Sequence, residues 1–297
     1  MAWDVGVAGT LCLDDVTTPV GRRTDQLGGS AVYFSLAASR LTRVFLNGIV
    51  GRDAEALVRG TLAGRAVDLA GLEVTDGPSR RWYAVQDFER WVTATEHSEE
   101  GASDLWSERL SAGALAAPVL FLGSMDPHQQ RDVLTQGRWQ LIGSDSMVRH
   151  IESDRAAVLA VVRASDILFL NRAELAALAQ APEERFIESA ESLIGQGRLR
   201  AVVVKGGPLG AACISATGVI EREAHPVEPV VDPTGAGDSL AGGFLGACAA
   251  AARDDDDFWP AALESGLRCA ADAIADFGTA ALRSGGTGPG RAWRSSP

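Results

Sequence analysis

A chain of 297 residues with 46% hydrophobic and 22% charged side chains is long and apolar enough to bury a substantial core, as one large α/β domain or two smaller ones, which excludes wholesale disorder. Its formal charge of -12 repels polyanions and argues against nucleic acid or an anionic membrane as a partner, while leaving a nucleotide free to bind through backbone donors. Cys12, Cys213, Cys248 and Cys269 are far apart and form no Cys-x-x-Cys pair, so neither a zinc site nor a disulfide framework is expected, and a reducing cytoplasm is. The region around Asp4 lacks the basic start and long apolar core of a signal peptide, and no apolar run reaches membrane-spanning length.

Val5 to Ala8 reads as a short buried strand, and the polar stretch from Asp14 to Asp25 as a loop beyond its tip. Gly28-Gly29 then opens a helix from Ser30 to Leu41, in which Ala31, Phe34, Leu36, Ala37, Ala38 and Leu41 recur near helical spacing. Val44 to Val50 is a predicted strand, Ala54 to Ala63 a helix, and Gly71 to Val74 a short extended piece. Arg81 to Gln86 and Trp91 to Thr95 read as the two strands of an antiparallel ribbon crowded with Trp82, Tyr83, Phe88 and Trp91.

Alternation resumes with the apolar strands Val119–Gly123, Trp139–Gly143, Ile167–Leu170 and Ala201–Lys205, which point to a parallel sheet covered on both faces. The clearest helices are Arg172–Ala179, Ser189–Gln196, Ser239–Ala252 and Ala261–Ala275. The acidic run Asp254–Asp257 lies between two of them and reads as a solvated loop. Residues 283–297, rich in glycine and proline, are expected to be a mobile tail. The fold class is therefore α/β, with a central mostly parallel sheet and a small antiparallel β flap near residues 12–20 and 80–96.

The stretch Val230-Val-Asp-Pro-Thr-Gly-Ala-Gly-Asp238 carries the chemistry. A loop that becomes a helix through two glycines turns the amides of Gly235, Ala236 and Gly237 into one concavity, and the helix dipole adds positive potential, so an acidic protein can hold a phosphate there. Asp238 at the same mouth would repel an anion; it is either a base that takes a proton from an attacking hydroxyl or simply the cap of the helix.

These residues resemble the ribokinase family of sugar and nucleoside kinases (phosphofructokinase-B type), whose second signature reads Asp-x-x-Gly-Ala-Gly-Asp and is matched at every fixed position by Asp232 to Asp238. Gly28-Gly29 before a helix, Val50-Gly51-Arg-Asp53, Asn171-Arg-Ala-Glu174 and Gly207-x-x-Gly210 follow the family's order, and the resemblance spans about residues 4 to 282. The first signature, Gly-Gly-Ser-Ala-x-Tyr-Phe, is similar to that of a bacterial group.

The resemblance implies a three-layer fold with a β lid, transfer of the ATP γ-phosphate to a sugar or cyclitol hydroxyl, and magnesium as cofactor, with nucleosides as the alternative acceptors. It makes Asp238 the catalytic base, with Gly235, Ala236 and Gly237 as the anion hole. Asn171 and Glu174 would position magnesium and phosphates largely through water, or serve only as a helix cap with an acidic first turn. Gly207 and Gly210 would line the nucleotide side, or form a plain turn between strands. Asp232 and Thr234 lie where some members hold a monovalent cation such as K+.

On the acceptor side Asp14, or Asp15 beside it, would bind substrate hydroxyls, with Gly28 and Gly29 bringing backbone close and Asp53 in a nearby loop. Two positions depart from the family pattern: Tyr33 stands where many members have asparagine, and Lys205 replaces the commoner threonine on the nucleotide-side strand. The aromatic flap would cap a ring, support a homodimer, or pack on its own domain. A noncatalytic sensor that kept the fold is a third reading, disfavoured because Asp238 and the glycine turn are intact. His97, His128, His150 and His225 belong to no motif.

Overall fold

The structure, a computed structural model, describes residues 2–89 and 91–284. Among them thirteen strands are found: β1 (Val5–Ala8), β2 (Cys12–Thr18), β3 (Gly21–Gly28), β4 (Val44–Gly51), β5 (Val67–Thr75), β6 (Arg80–Asp87), β7 (Val92–Glu99), β8 (Val119–Leu122), β9 (Leu141–Asp145), β10 (Ile167–Asn171), β11 (Ala201–Lys205), β12 (Ala211–Ser215) and β13 (Gly218–Arg222). Nine of them form one sheet in the order β13-β12-β11-β10-β9-β8-β1-β4-β5. The run from β11 to β5 is parallel, and only β12 and β13 are antiparallel.

The short apolar strands are buried on both faces, as continuous hydrophobic runs require. In β8, Val119 and Phe121 join the core beneath the helices Ser30–Ala38, Ala236–Ala251 and Trp259–Ala273, while Leu120 and Leu122 enter a second cluster with Ala114, Val133 and Val161 on the opposite face. Leu168, Leu170, Val202 and Val204 pack on that same side against Leu175, Leu178 and Ala190. Phe34 stacks on Phe121 at 4.2 Å between centroids, and Phe169 meets Phe244 edge-on at 5.6 Å, so the sheet and the helix that follows the glycine turn are locked together. All four cysteines are free and buried. No described helix is long and apolar enough to cross a membrane.

The other four strands form a lid in the order β3-β2-β6-β7. Two of its pairings are antiparallel as expected, but the inner pair, β2 with β6, is parallel. The reason is topological: β2 and β6 each continue, after a short link, from β1 and β5, which are parallel strands of the large sheet and so deliver the chain outward in one direction. The polar stretch from Asp14 to Asp25, expected as a loop, is the β2–β3 hairpin. Its strands are mostly polar and carry only isolated buried apolar residues such as Leu13, Val16 and Leu27, so no apolar run marks them.

Elsewhere Gly71–Val74 is the second half of a longer strand, and the strand expected from Trp139 starts at Leu141. The antiparallel edge β12–β13 had no expected counterpart. Arg283 and Ser284 end the helix Ala280–Ser284, whereas residues 285–297 of the expected mobile tail lie outside the described residues.

Candidate active site

A parallel sheet leaves its ligand crevice at the carboxyl ends of the strands. Here β9, β10 and β11 end side by side on Asp145, Asn171 and Lys205, with Asn171 level with Lys205 in the register and Phe169 level with Asp145. The lid faces this edge across a cleft of about 790 Å³, into which the N-terminus of the helix Ala236–Ala251 opens. Asp14, Gly29, Tyr33, Asn171, Glu174, Lys205, Gly207, Thr234, Gly235 and Asp238 all line it, so residues more than 200 positions apart meet in one cavity.

At the glycine turn, Gly235 has φ 75° and a side chain there would strike the Tyr33 ring at 2.3 Å. Only glycine fits, and Tyr33 is fully buried against the turn rather than standing in open cleft. The Ala236 amide donates to the Pro233 carbonyl at 3.2 Å, which leaves Gly235 and Gly237 as the turn amides without such an acceptor among the described residues. Asp232 braces the turn from below. One carboxylate oxygen accepts the Thr234 amide at 3.0 Å and the other the Gly278 amide at 3.2 Å, so both oxygens of this buried group are engaged by backbone.

Asp238 sits in the first turn of the helix. Burial pushes its carboxyl up to about 7, Asp145 and Glu174 push the same way, and Lys205 opposes them. Lys205, the chain's only lysine, pairs with Asp145 at 2.9 Å and lies 3.7 Å from Glu174. Burial opposes its charge, but the carboxylates outweigh burial and hold its pKa above the ordinary lysine value. Burial also raises Glu174 to about 7 and Asp145 above the usual carboxylate range. Three acids around one ammonium form a site poised for added positive charge.

Asn171 and Glu174 form a complete capping box: the Asn171 side chain accepts the Glu174 amide at 2.8 Å and the Glu174 carboxylate accepts the Asn171 amide at 2.6 Å. The cap reading thus holds geometrically, while the same carboxylate also faces the cleft. Among the described residues no three His, Cys, Asp or Glu side chains converge to hold a metal by themselves. Asp145 is held by Lys205 and does not line the cleft, so Glu174 is the carboxylate of this pair that would face a magnesium ion arriving on phosphates. Gly207 lines the cleft within the turn Gly207–Leu209, which joins β11 to β12; Gly210 closes that turn outside the lining.

At the acceptor end the pleat of the lid decides which residues face inward. Cys12 and Asp14 of β2, and Arg80, Trp82 and Gln86 of β6, line the cleft, while Asp15 lies on the other face, accepting the Asp25 amide at 2.9 Å beside Arg81. Asp14 is therefore the carboxylate brought to the site. It accepts the Cys12 thiol at 2.9 Å, and burial raises it to about 7. A β-carbon on Gly28 would fall 1.8 Å from its Oδ2, so the glycine there makes room for the carboxylate. Asp53 is not among the cleft-lining residues. It accepts the Ser79 amide at 3.0 Å and the Ser79 hydroxyl at 2.6 Å, fixing the link that enters β6.

The lid reaches the glycine turn directly, since the Gln86 amide donates to the Thr234 hydroxyl at 3.3 Å and accepts the Thr93 hydroxyl at 3.2 Å. Sequence reasoning passed over Cys12, Arg80, Gln86 and Arg149, which line the cleft, and Asp145, buried beside Lys205. Asp145 had one available signal, an acidic residue closing an apolar strand of a parallel sheet. Cys12, Arg80 and Gln86 had none, because a half-polar lid strand does not reveal which alternate residues turn inward, and Arg149 stands alone in a short helix.

A family model described as pfkB family carbohydrate kinase matches residues 8–284. A cytidine kinase from Thermococcus kodakarensis is 26% identical over 249 residues, covering 82% of this chain and 87% of that protein. Among solved structures, a ribokinase from Cryptococcus neoformans in complex with ADP superposes with TM-score 0.78 at 17% identity, covering 96% of both chains. The adenosine kinase of Sinorhizobium meliloti gives 0.77 at 18% identity, over 96% of this chain and 98% of that one. A Burkholderia thailandensis nucleoside kinase in complex with inosine gives 0.74 at 18%, over 92% of each. With its glycine turn, its capping box and its lid in one cleft, and with the family match running from the first strand to the last helix, the chain belongs to the pfkB family of carbohydrate kinases and is a phosphotransferase.

Proposed function

We propose that this kinase transfers the γ-phosphate of ATP to a hydroxyl of a sugar-like polyol held between Asp14 and Asp238. The observation that carries the reading is the placement of a raised carboxyl, Asp238, at the mouth of a helix whose glycine turn offers amides to an anion. The Asp238 carboxylate takes the acceptor hydroxyl's proton as that oxygen bonds to the γ-phosphorus, and the bond to the β–γ bridging oxygen breaks to release ADP. The amides of Gly235 and Gly237 meet charge on the transferred group, and Lys205 holds Asp145 and Glu174 in place beside it. Magnesium carried by ATP, with Glu174 as the carboxylate that would face it, would supply further charge neutralisation. Asp14, with the Cys12 thiol fixing one oxygen, accepts acceptor hydroxyls.

A nucleoside acceptor is the second reading, supported by Trp82 and Trp91 on the lid wall, where a base could stack, and by the likeness to a cytidine kinase. ADP release measured over sugars, cyclitols, nucleosides and their acid derivatives tests both. Turnover confined to nucleosides would replace the polyol reading, and no acceptor-dependent ADP release with any class would remove the kinase assignment of the cleft.

A further inference from the structure

We propose that the acceptor carries an anionic group, a carboxylate or a phosphate, that seats on Arg149 and Arg80 at the lid end of the cleft. This deepens the kinase reading above and rests on it. Both guanidinium groups line the same cavity as Asp14, Cys12 and Trp82. Arg80, at the start of β6, has a side chain only 7% exposed; it pairs with Glu100 and donates to the Ser98 hydroxyl at 3.0 Å. Arg149, in the short helix Val148–Ser153, reaches the same Glu100 carboxylate at 3.2 Å. Two cations thus share one partly exposed carboxylate.

The Arg80–Glu100 pair lies within the lid, at the end of the β6–β7 pairing, and Arg149 brings the body of the domain to the same carboxylate. Arg149 engages Glu100 through one terminal nitrogen, and its Nε is enclosed yet has no hydrogen-bond partner among the described residues. An unpartnered buried donor costs free energy unless a ligand completes it. The edge formed by Nε and a terminal nitrogen is the one on which guanidinium binds a two-oxygen anion side-on.

The surroundings do not supply that anion. Burial lowers the pKa of Arg80 and Arg149 lowers it further, a like-charge repulsion that Cys12, Asp14 and Glu96 offset only in part. His150, next in the chain, is driven down to about 4 by burial and is neutral near pH 7. Of the other carboxyls that act on Arg80, Asp14 is raised to about 7 and bonded to Cys12, and Glu96 lines the same cleft but is exposed on β7. An anionic acceptor group would complete the Nε donor and relieve the pair, while the acceptor's hydroxyls still meet Asp14.

Matched pairs test the proposal: five- and six-carbon polyols against their aldonates and terminal phosphates, titrated by calorimetry into the wild type, Arg149→Gln and Arg149→Lys, with ADP release followed in parallel. The expected result is that at least one anionic member binds the wild type more tightly than its neutral counterpart, and that Arg149→Gln removes roughly 10- to 100-fold more affinity from the anionic member than from the neutral one. Arg149→Lys keeps the charge but loses the two-donor edge, so it should recover part of that loss. Whether the aldonate or the phosphate shows the larger loss identifies the group. Neutral members binding as well as their anions, a loss equal for both, or no binding by any anion would overturn the proposal. ADP release from neutral polyols would leave the kinase reading standing without it. Anion binding that depends on Arg149 but yields no ADP release would count against the kinase reading alone.

Discussion

The two ends of the cleft are built on different principles. The nucleotide end is assembled from backbone and strand termini: a glycine turn, a capping box, and Asp145, Asn171 and Lys205 placed in register by three parallel strands. Its geometry is set by the core, where Phe169 and Phe244 hold sheet and helix together. The acceptor end hangs on a four-stranded lid, and its side chains point inward only through the pleat of β2 and β6. The first end can change little without breaking the fold. The second can exchange Trp82 or Gln86 while the strands persist, and on the proposed function this is where acceptor choice would be set.

If that contrast is right, the largest effect comes from the rigid end. Asp238→Asn keeps the shape but cannot serve as a base, and turnover should fall by about 10²- to 10⁴-fold with ATP affinity nearly intact, measured by steady-state kinetics and nucleotide titration. At the acceptor end, Asp14→Ala removes a carboxylate that can accept two hydroxyls. Acceptor KM should rise by roughly 10- to 100-fold with kcat changing less. A kcat collapse with KM unchanged would move Asp14 from binding into the chemical step.

Stability offers a smaller, signed test. The folded-state pKa values of Asp14 and Asp238, about 7, lie above the ordinary 3.8, so the folded protein holds more protons than the unfolded chain between those values. Their contribution is fully present below about pH 4 and is lost as pH rises through 7. Asp238→Asn should therefore raise Tm at pH 8 relative to wild type, by about 2–4 °C for each kcal/mol recovered, and do so much less at pH 5. An equal shift at both pH values would mean that burial is not what raises this carboxyl.

The smallest effect belongs to the link between the two ends. Asp53→Ala removes the acceptor of the Ser79 amide and hydroxyl and should cost about 1–2 kcal/mol of stability in a denaturant melt, with acceptor KM moving only a fewfold. A loss in acceptor binding as large as that of Asp14→Ala would return Asp53 to the substrate site.

The same contrast explains what was legible in the sequence. Motifs that depend on backbone conformation were readable, because only glycine fits Gly235 against Tyr33 and a short polar cap followed three residues later by a Glu makes the box of Asn171 and Glu174. Continuous apolar runs marked the parallel strands for the same reason, both faces being buried. The β2–β3 hairpin was hidden because one of its faces is solvated, and the parallel pairing of β2 with β6 is a property of topology that no local pattern carries. Asp145 was missed although it closes a strand, and Arg149 because a single arginine in a six-residue helix has no spacing to betray it.

The central claim is that Asp238 acts as a base from a site that holds its pKa near 7. It is tested most directly by the ratio of wild-type to Asp238→Asn kcat/KM, measured with acceptor and ATP below saturation from pH 5.5 to 8.5, where the ionisations of the unliganded enzyme are read. Lys205, held above its ordinary value, stays charged across this range in both proteins, so the ratio reports the carboxyls of the cleft, Asp238 first among them. The account predicts a ratio that climbs as pH rises through about 7 and levels off at roughly 10² or more. A ratio that stays within a fewfold of one at every pH would contradict it and leave Asp238 as the cap of its helix.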